Sequence, residues 1–210
     1  MDTYKETFET WNTVAALYEE KFMDLDFYNE TYDYICSSIV KPNAKLLDLG
    51  CGPGNITKYL LSKRPDFDIY GIDVAPNMIE LAKKNNPSAR FDVMDSRQIS
   101  QMQMKYDGII CGFCLPYLSP ADSQKLILDV KDLLNDDGLF YLSFVEGDAS
   151  QSGFQVGSSG KRVYFYYHTL AVLKMNLLEA GFENIEVFQI DYKKSPTARE
   201  IHTVLVARKK

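Results

Sequence analysis

The sequence is poor in histidine and tryptophan, with two of the first and one of the second in 210 residues. Its four cysteines are Cys36, Cys51, Cys111 and Cys114. The N-terminus, MDTYKETFETW, has neither a basic n-region nor an apolar h-region, so no signal peptide is visible. In a chain of this length without such a signal, the cysteines are not a disulfide framework. The expectation is a cytoplasmic protein with reduced thiols. Cys111-Gly112-Phe113-Cys114 is a lone C-x-x-C with no second pair, half of what a structural zinc takes, and no metal is expected. Long apolar runs are missing too. The longest uncharged stretch, Gly108 to Ala121, is broken by glycine and proline and is too short to span a bilayer. A basic excess is also lacking. Lys and Arg total 23 against 29 Asp and Glu, a net charge of −6, which disfavours a nucleic-acid partner because phosphate binding needs a cationic footprint. No signal for an oligomeric state is present.

What is present is unevenly spread. Residues 1–34 hold nine acids, two bases and nine of the 27 aromatics. Such a start reads as a separate element laid against the body. Trp11, Val14, Ala15, Tyr18 and Phe22 recur at helical spacing, as do Tyr28, Tyr32, Ile35 and Ile39. Two amphipathic helices are expected, forming a helical cap over residues 1–40, with one domain over 41–210. The cap is either purely structural or also a cover for a ligand site.

The body alternates strand and helix. Short apolar strands are expected at Lys45–Leu49, Asp68–Ile72, Ala89–Val93, Tyr106–Cys111 and Leu139–Val145, the last preceded by a turn at Asn135–Gly138. Helices fall at Asn55–Ser62, at Pro76–Lys84 with proline in its first turn, and after the Ser119-Pro120 start signal. Leu170, Leu173, Leu177 and Ala180 mark a further helix, stopped by Gly181. Two closing strands, Glu183–Asp191 and His202–Arg208, are joined by a link from about Tyr192 to Arg199, enough for a hairpin and short for a parallel crossover. Seven strands with helices between the first five indicate a doubly wound α/β sheet with an antiparallel final pair. Gly147–Gly160, rich in glycine and serine, reads as a flexible loop, either an ordinary surface loop or a substrate-side lid.

The sharpest signal is Leu46-Leu47-Asp48-Leu49-Gly50-Cys51-Gly52-Pro53-Gly54 between a strand and a helix. Glycines at 50, 52 and 54 allow a tight turn and close approach of a ligand to the main chain. A dinucleotide G-x-G-x-x-G would need glycine at 55, which is Asn55. Asp48 would repel a pyrophosphate but suits an amino group, directly or through water. Asp73, at the end of the second strand, can accept both hydroxyls of a ribose. Asp95 and Ser96, after the third, can read the amino edge of adenine. An ammonium acceptor, a ribose acceptor and an adenine reader follow one another, as those groups do in S-adenosylmethionine.

These pieces resemble the class I S-adenosylmethionine-dependent methyltransferases. The matching segments are LLDLGCGPGNIT at 46–57, GIDVAPNMIELAKK at 71–84, FDVMDSRQI at 91–99, YDGIICGFCLPYL at 106–118, LLNDDGLFYLSF at 133–144 and LLEAGFENIEV at 177–187. The resemblance implies a Rossmann-like sheet of order 3-2-1-4-5-7-6 with strand 7 antiparallel. It implies that Gly50, Cys51 and Gly52 line the methionine moiety and that Asp73 holds the ribose. Val74 and Met78 would lie near the adenine, with Asp95 and Ser96 at its edge. Cys111, Gly112 and Phe113 would border the sulfonium. Tyr18 and Trp11, on the cap, are candidates to touch cofactor or substrate. The expected activity is methyl transfer from S-adenosylmethionine, leaving S-adenosylhomocysteine, to a nitrogen or oxygen of a small molecule.

His168 is the residue expected to serve as base, against the alternative of a locally bonded histidine near a helix start; His202 reads as structural. The strand-four end, Cys-Gly-Phe-Cys-Leu-Pro-Tyr, lacks the [DN]-P-P-[YF] pattern that resembles amino-methyltransferases of adenine, cytosine or glutamine. Lys161 and Arg162 suggest an anionic substrate, whereas the acidic opening segment suggests a cationic one. The alternative function is a catalytically inactive interaction module. Intact Asp48, Gly50, Gly52 and Asp73 argue against it, since such a module has no physical need for them.

Overall fold

A computed structural model describes residues 3–157, 159–193 and 198–210. The first two residues of the expected cap, residue 158 of the expected loop and 194–197 of the expected hairpin link lie outside the described residues.

The chain opens with α1 (Thr3–Thr13), α2 (Ala15–Phe22) and α3 (Asn29–Ser38). Three helices stand where periodicity predicts two. Hydrogen bonding continues through the junction, but Val14 leaves helical angles at φ −98 and ψ 13. Thr13 also turns its hydroxyl back onto the carbonyl of Glu9 at 2.8 Å, a bond that bends helices. The body follows as β1 (Lys45–Leu49), α4 (Asn55–Lys63), β2 (Asp68–Asp73), α5 (Pro76–Asn85), β3 (Arg90–Val93), β4 (Tyr106–Cys111), α6 (Pro120–Leu133) and β5 (Leu134–Val145). β5 absorbs the expected Asn135–Gly138 turn, though Asp137 keeps a left-handed φ of 58. Then come the hairpin β6 (Gly153–Val156) and β7 (Arg162–Phe165), α7 (Leu170–Glu179), β8 (Phe182–Lys193) and β9 (Arg199–Lys209).

The main sheet runs β3-β2-β1-β4-β5-β9-β8, with β9 antiparallel to both neighbours. With β8 and β9 as the expected sixth and seventh strands, that is the predicted order. The strands are apolar on both faces because both are covered. Leu47, Ile109, Phe140, Leu142 and Leu205 point towards α6 and α7. Their sequence neighbours Leu46, Ile110, Leu139, Tyr141 and Val204 point towards α3 and α4. Among the described residues no helix is long and apolar enough to cross a membrane.

The β6–β7 hairpin replaces most of the flexible loop expected at Gly147–Gly160. It is bonded to α1. Thr10 Oγ1 donates to the carbonyl of Arg162 at 2.8 Å, and the amide of Tyr164 donates to Thr7 Oγ1 at 2.9 Å. Arg162 Nε reaches Glu6 Oε1 at 2.5 Å. On its other side α1 meets α5, where Asn77 donates twice to Asn12 at 2.8 Å. The first helix is thus tied across the carboxyl ends of the parallel strands, where open α/β sheets place their ligands.

Candidate functional site

Two adjoining cavities lie beneath that helix, of about 100 and 210 Å³. They share a wall made by Trp11, Tyr18, Gly50, Gly52, Gly112, Phe113 and Tyr117. The first extends towards Asp73, Val74, Met78, Asp95 and Ser96. The second extends towards α3, β9 and the end of β8.

The loop after β1 builds the floor. Gly50, Gly52 and Gly54 have φ of 64, 54 and 81, in the left-handed region that side chains resist. A Cβ on Gly50 would meet Cys114 Cβ at 3.1 Å, so the absent side chain is what leaves room against the strand-four loop. The turn delivers the amide of Gly52 to Asp73 Oδ2 at 3.0 Å, and Asp73 Oδ1 accepts from the amide of Ala75 at 2.8 Å. Burial raises the Asp73 carboxyl and these amide bonds partly offset it. The carboxylate is therefore fixed in orientation at a strand end while still bordering the cavity.

Asp48 is almost fully buried behind this loop. Oδ2 accepts from Thr57 Oγ1 at 2.8 Å, while Oδ1 has no hydrogen-bond partner. Burial, first among the causes, lifts its carboxyl to about 7. Asp95 caps the 3₁₀ turn Ser96–Gln101 and is gripped by Arg97, whose guanidinium lies 3.9 Å from the ring centre of Tyr4. Ser96 Oγ lies 3.5 Å from Cys114 Sγ. Tyr18, raised to about 12 chiefly by burial and then by Asp73 and Asp48, keeps its proton.

Of the sequence-derived candidates, Trp11, Tyr18, Gly50, Gly52, Asp73, Val74, Met78, Asp95, Ser96 and Phe113 line the first cavity, and Cys51 lines the second. Three candidates lie elsewhere. Asp48 sits behind the wall. Cys111 points into the core with no exposure, because the alternation of β4 sends it to the α6 side; Gly112 and Cys114 border the cavity instead. His168 is buried away from both cavities, its Nε2 3.1 Å from the carbonyl of Leu115, and burial pushes its pKa down. It is a packed histidine joining β5 to the strand-four loop and does not touch either cavity.

The histidine that does border a cavity is His202, which by sequence reads as structural. Tyr28 Oη and His202 Nδ1 lie 2.5 Å apart. Tyr192 stacks on the imidazole at 4.4 Å, Phe113 meets it edge-on at 5.0 Å, and Glu200 Oε2 lies 3.7 Å from Nε2. Sequence signal for this group is slight: Glu200 and His202 share one face of a strand by spacing, but their neighbours come from the N-cap of α3, the loop after β4 and the end of β8. Among the described residues no cluster of three or more His, Cys, Asp or Glu could hold a metal ion.

Against known proteins, a family model described as a methyltransferase domain matches residues 46–138. The 235L protein of Invertebrate iridescent virus 6, named as a methyltransferase, is 32% identical over 136 residues, 65% of this chain and 49% of that protein. A carboxy-S-adenosyl-L-methionine synthase of Campylobacter jejuni subsp. doylei is 26% identical over 148 residues, 66% of this chain and 62% of the relative. The chain thus spans about half to three fifths of the length of these relatives. A solved structure of the Burkholderia thailandensis 1,6-didemethyltoxoflavin-N1-methyltransferase, with bound 1,6-didemethyltoxoflavin and S-adenosylhomocysteine, superposes with a TM-score of 0.73 at 20% identity. That superposition covers 98% of this chain and 88% of the other. Residues 46–138 thus match a methyltransferase-domain model, and the described chain has the sheet order and fold of solved methyltransferase structures.

Proposed function

We propose that the protein moves a methyl group from S-adenosylmethionine to a nitrogen or oxygen of a small molecule. The observation that carries this reading is the Gly52–Asp73 bond at the mouth of a cavity that continues into a second one. A carboxylate pinned by two amides is preorganised to accept paired hydroxyls, and the adjoining space offers a place for an acceptor.

The chain's residues fit such a cofactor in three respects. Asp48 Oδ1, buried behind the wall without a partner, is an acceptor awaiting a donor, and an amino group in the cavity would meet it through water. Gly50 and Gly52 expose main chain where a methionine moiety would run. Asp73 would hold ribose hydroxyls, with Val74 and Met78 as apolar walls and Asp95 and Ser96 at the far end for an adenine. When bound, S-adenosylmethionine supplies an electrophilic methyl group on a positively charged sulfur. Phe113, Tyr117, Tyr18 and Trp11 stand at the junction of the two cavities and would hold the acceptor in line while excluding water. A carboxylated form of the cofactor, as the name of the Campylobacter relative indicates, would call for a cation beside the transferred group. Among the described residues no Lys or Arg lines either cavity.

The four cysteines are free, in keeping with a reducing cytoplasmic setting. Calorimetric titration of S-adenosylmethionine and S-adenosylhomocysteine tests the reading. Micromolar binding of both supports it; a folded sample that binds neither overturns it.

A further inference from the structure

The second cavity is aromatic and, among the described residues, has one carboxylate, beside the His202 imidazole at 3.7 Å. Nine of its twenty lining residues are Phe, Tyr or Trp. Its one carboxylate is Glu200, and its one further ionisable nitrogen group is the His202 imidazole. Glu200 is partly shielded, its side chain 20% exposed. Among the described residues no lysine or arginine reaches the wall. The two basic residues that the sequence offered for an anionic substrate are not there. Arg162 is joined to Glu6 and lies 4.0 Å from the ring centre of Phe154, and Lys161 borders neither cavity.

These features select by charge. A carboxylate or phosphate entering this space would lose its water and meet rings and another carboxylate, which is costly. A cation would meet the electron-rich faces of aromatic rings and a carboxylate held in a low-dielectric wall. We infer that the methyl acceptor is an organic amine carried on an apolar body, which Glu200 selects as its ammonium and then deprotonates; the freed nitrogen lone pair would form the new N–CH3 bond as the C–S bond of the sulfonium breaks, that electron pair staying on the sulfur of S-adenosylhomocysteine and the proton on the Glu200 carboxylate. The inference rests on the transferase reading above. Tyr28 and His202, bonded to each other, and Tyr192, stacked on His202, keep the wall around Glu200 in one arrangement.

The test uses the full chain saturated with S-adenosylhomocysteine, so that a sulfonium cannot be what is measured. Phenethylamine, 2-phenylethanol and phenylacetate, alike in body and different in charge, are titrated by calorimetry. Phenethylamine is expected to bind about tenfold or more tighter than the alcohol, with phenylacetate weaker than both, as expected for a charge-assisted contact. Glu200→Gln, close to isosteric, is expected to reduce the preference for amine over alcohol to about threefold or less while leaving S-adenosylhomocysteine affinity within about twofold. Retained binding of the alcohol by the variant shows that its cavity is intact. Phenylacetate binding as tightly as the amine, an amine that does not bind, or a preference that survives Glu200→Gln overturns the inference. Failure of the transferase reading shows separately, as absence of S-adenosylhomocysteine binding to the unaltered protein.

Discussion

Asp73 Oδ2 accepts the amide of Gly52 across 21 residues, locking the glycine loop after β1 to the end of β2. Both groups lie at the edge of the same cavity, so the bond fixes the shape of a ligand site before any ligand arrives. Asp73→Ala removes the acceptor for two amides, and each bond to a charged group contributes about 1.5–3 kcal/mol. S-adenosylhomocysteine affinity is expected to fall by about tenfold or more, read by calorimetry. Asp73→Asn, which preserves the shape, separates lost binding from lost folding. Unchanged affinity in both variants sinks the ribose assignment.

Asp48 sets a pH dependence. Its unfolded pKa is near 3.9 and its folded value is about 7. The folded state therefore binds the extra proton, and this group's contribution to stability is full below about pH 4 and lost as pH rises through about 7. By linkage, the difference is at most roughly 4 kcal/mol. Asp48→Asn cannot ionise. The stability gap between variant and wild type should shift in the variant's favour between pH 4.5 and 8, measured by urea midpoints. A gap independent of pH would show that Asp48 does not titrate in that window.

Tyr28 ties α3 to β9. Tyr28→Phe deletes the hydroxyl that meets His202 Nδ1 and leaves the ring stacking in place. A loss of about 1–3 kcal/mol is expected, that of a buried polar partner left unmet. Chemical denaturation reads it; S-adenosylhomocysteine binding should be nearly unaffected because neither residue lines the first cavity.

Gly54 is the tightest point of the loop. Its φ is 81, and a Cβ there would come within 2.3 Å of Asn86 Nδ2, the group that donates to the Gly54 carbonyl at 3.0 Å. Gly54→Ala should destabilise the protein by about 2–4 kcal/mol, from left-handed strain together with a broken buried hydrogen bond. Thermal melting of the purified variant checks this, and a melting temperature equal to wild type refutes it.

The strands were legible because each carries its own signal, a short apolar run bounded by glycine, proline or asparagine and alternating with helical periods, while their order in the sheet came from the resemblance. The cofactor-side residues were legible for a related reason. Gly50, Gly52, Asp73, Asp95 and Ser96 each stand at a strand end or one or a few residues beyond it, so topology alone gathers them. What escaped is what only tertiary packing decides. The register of β4 turned Cys111 inward and passed its place to Cys114. His168 sits next to a helix start as expected, yet the crossing of β5 and the strand-four loop closes over it. His202 looked like one more strand residue, and its partners Tyr28 and Tyr192 carry no mark of their meeting. The hairpin at β6 and β7 was hidden by glycines and serines around Phe154, Val156 and Tyr164, and the bend at Val14 by an unbroken helical period.

The single tryptophan has a consequence of its own. Trp11 stands in the wall common to both cavities, edge-on to Tyr18 and Tyr117 at 5.5 and 5.3 Å. Indole emission from this protein is thus emission from one place. Drying of either cavity by a ligand, or lifting of α1 to let one leave, changes the polarity and quenching around that one ring. The native chain carries its own optical probe, and stopped-flow fluorescence can follow filling and emptying of the site without a label.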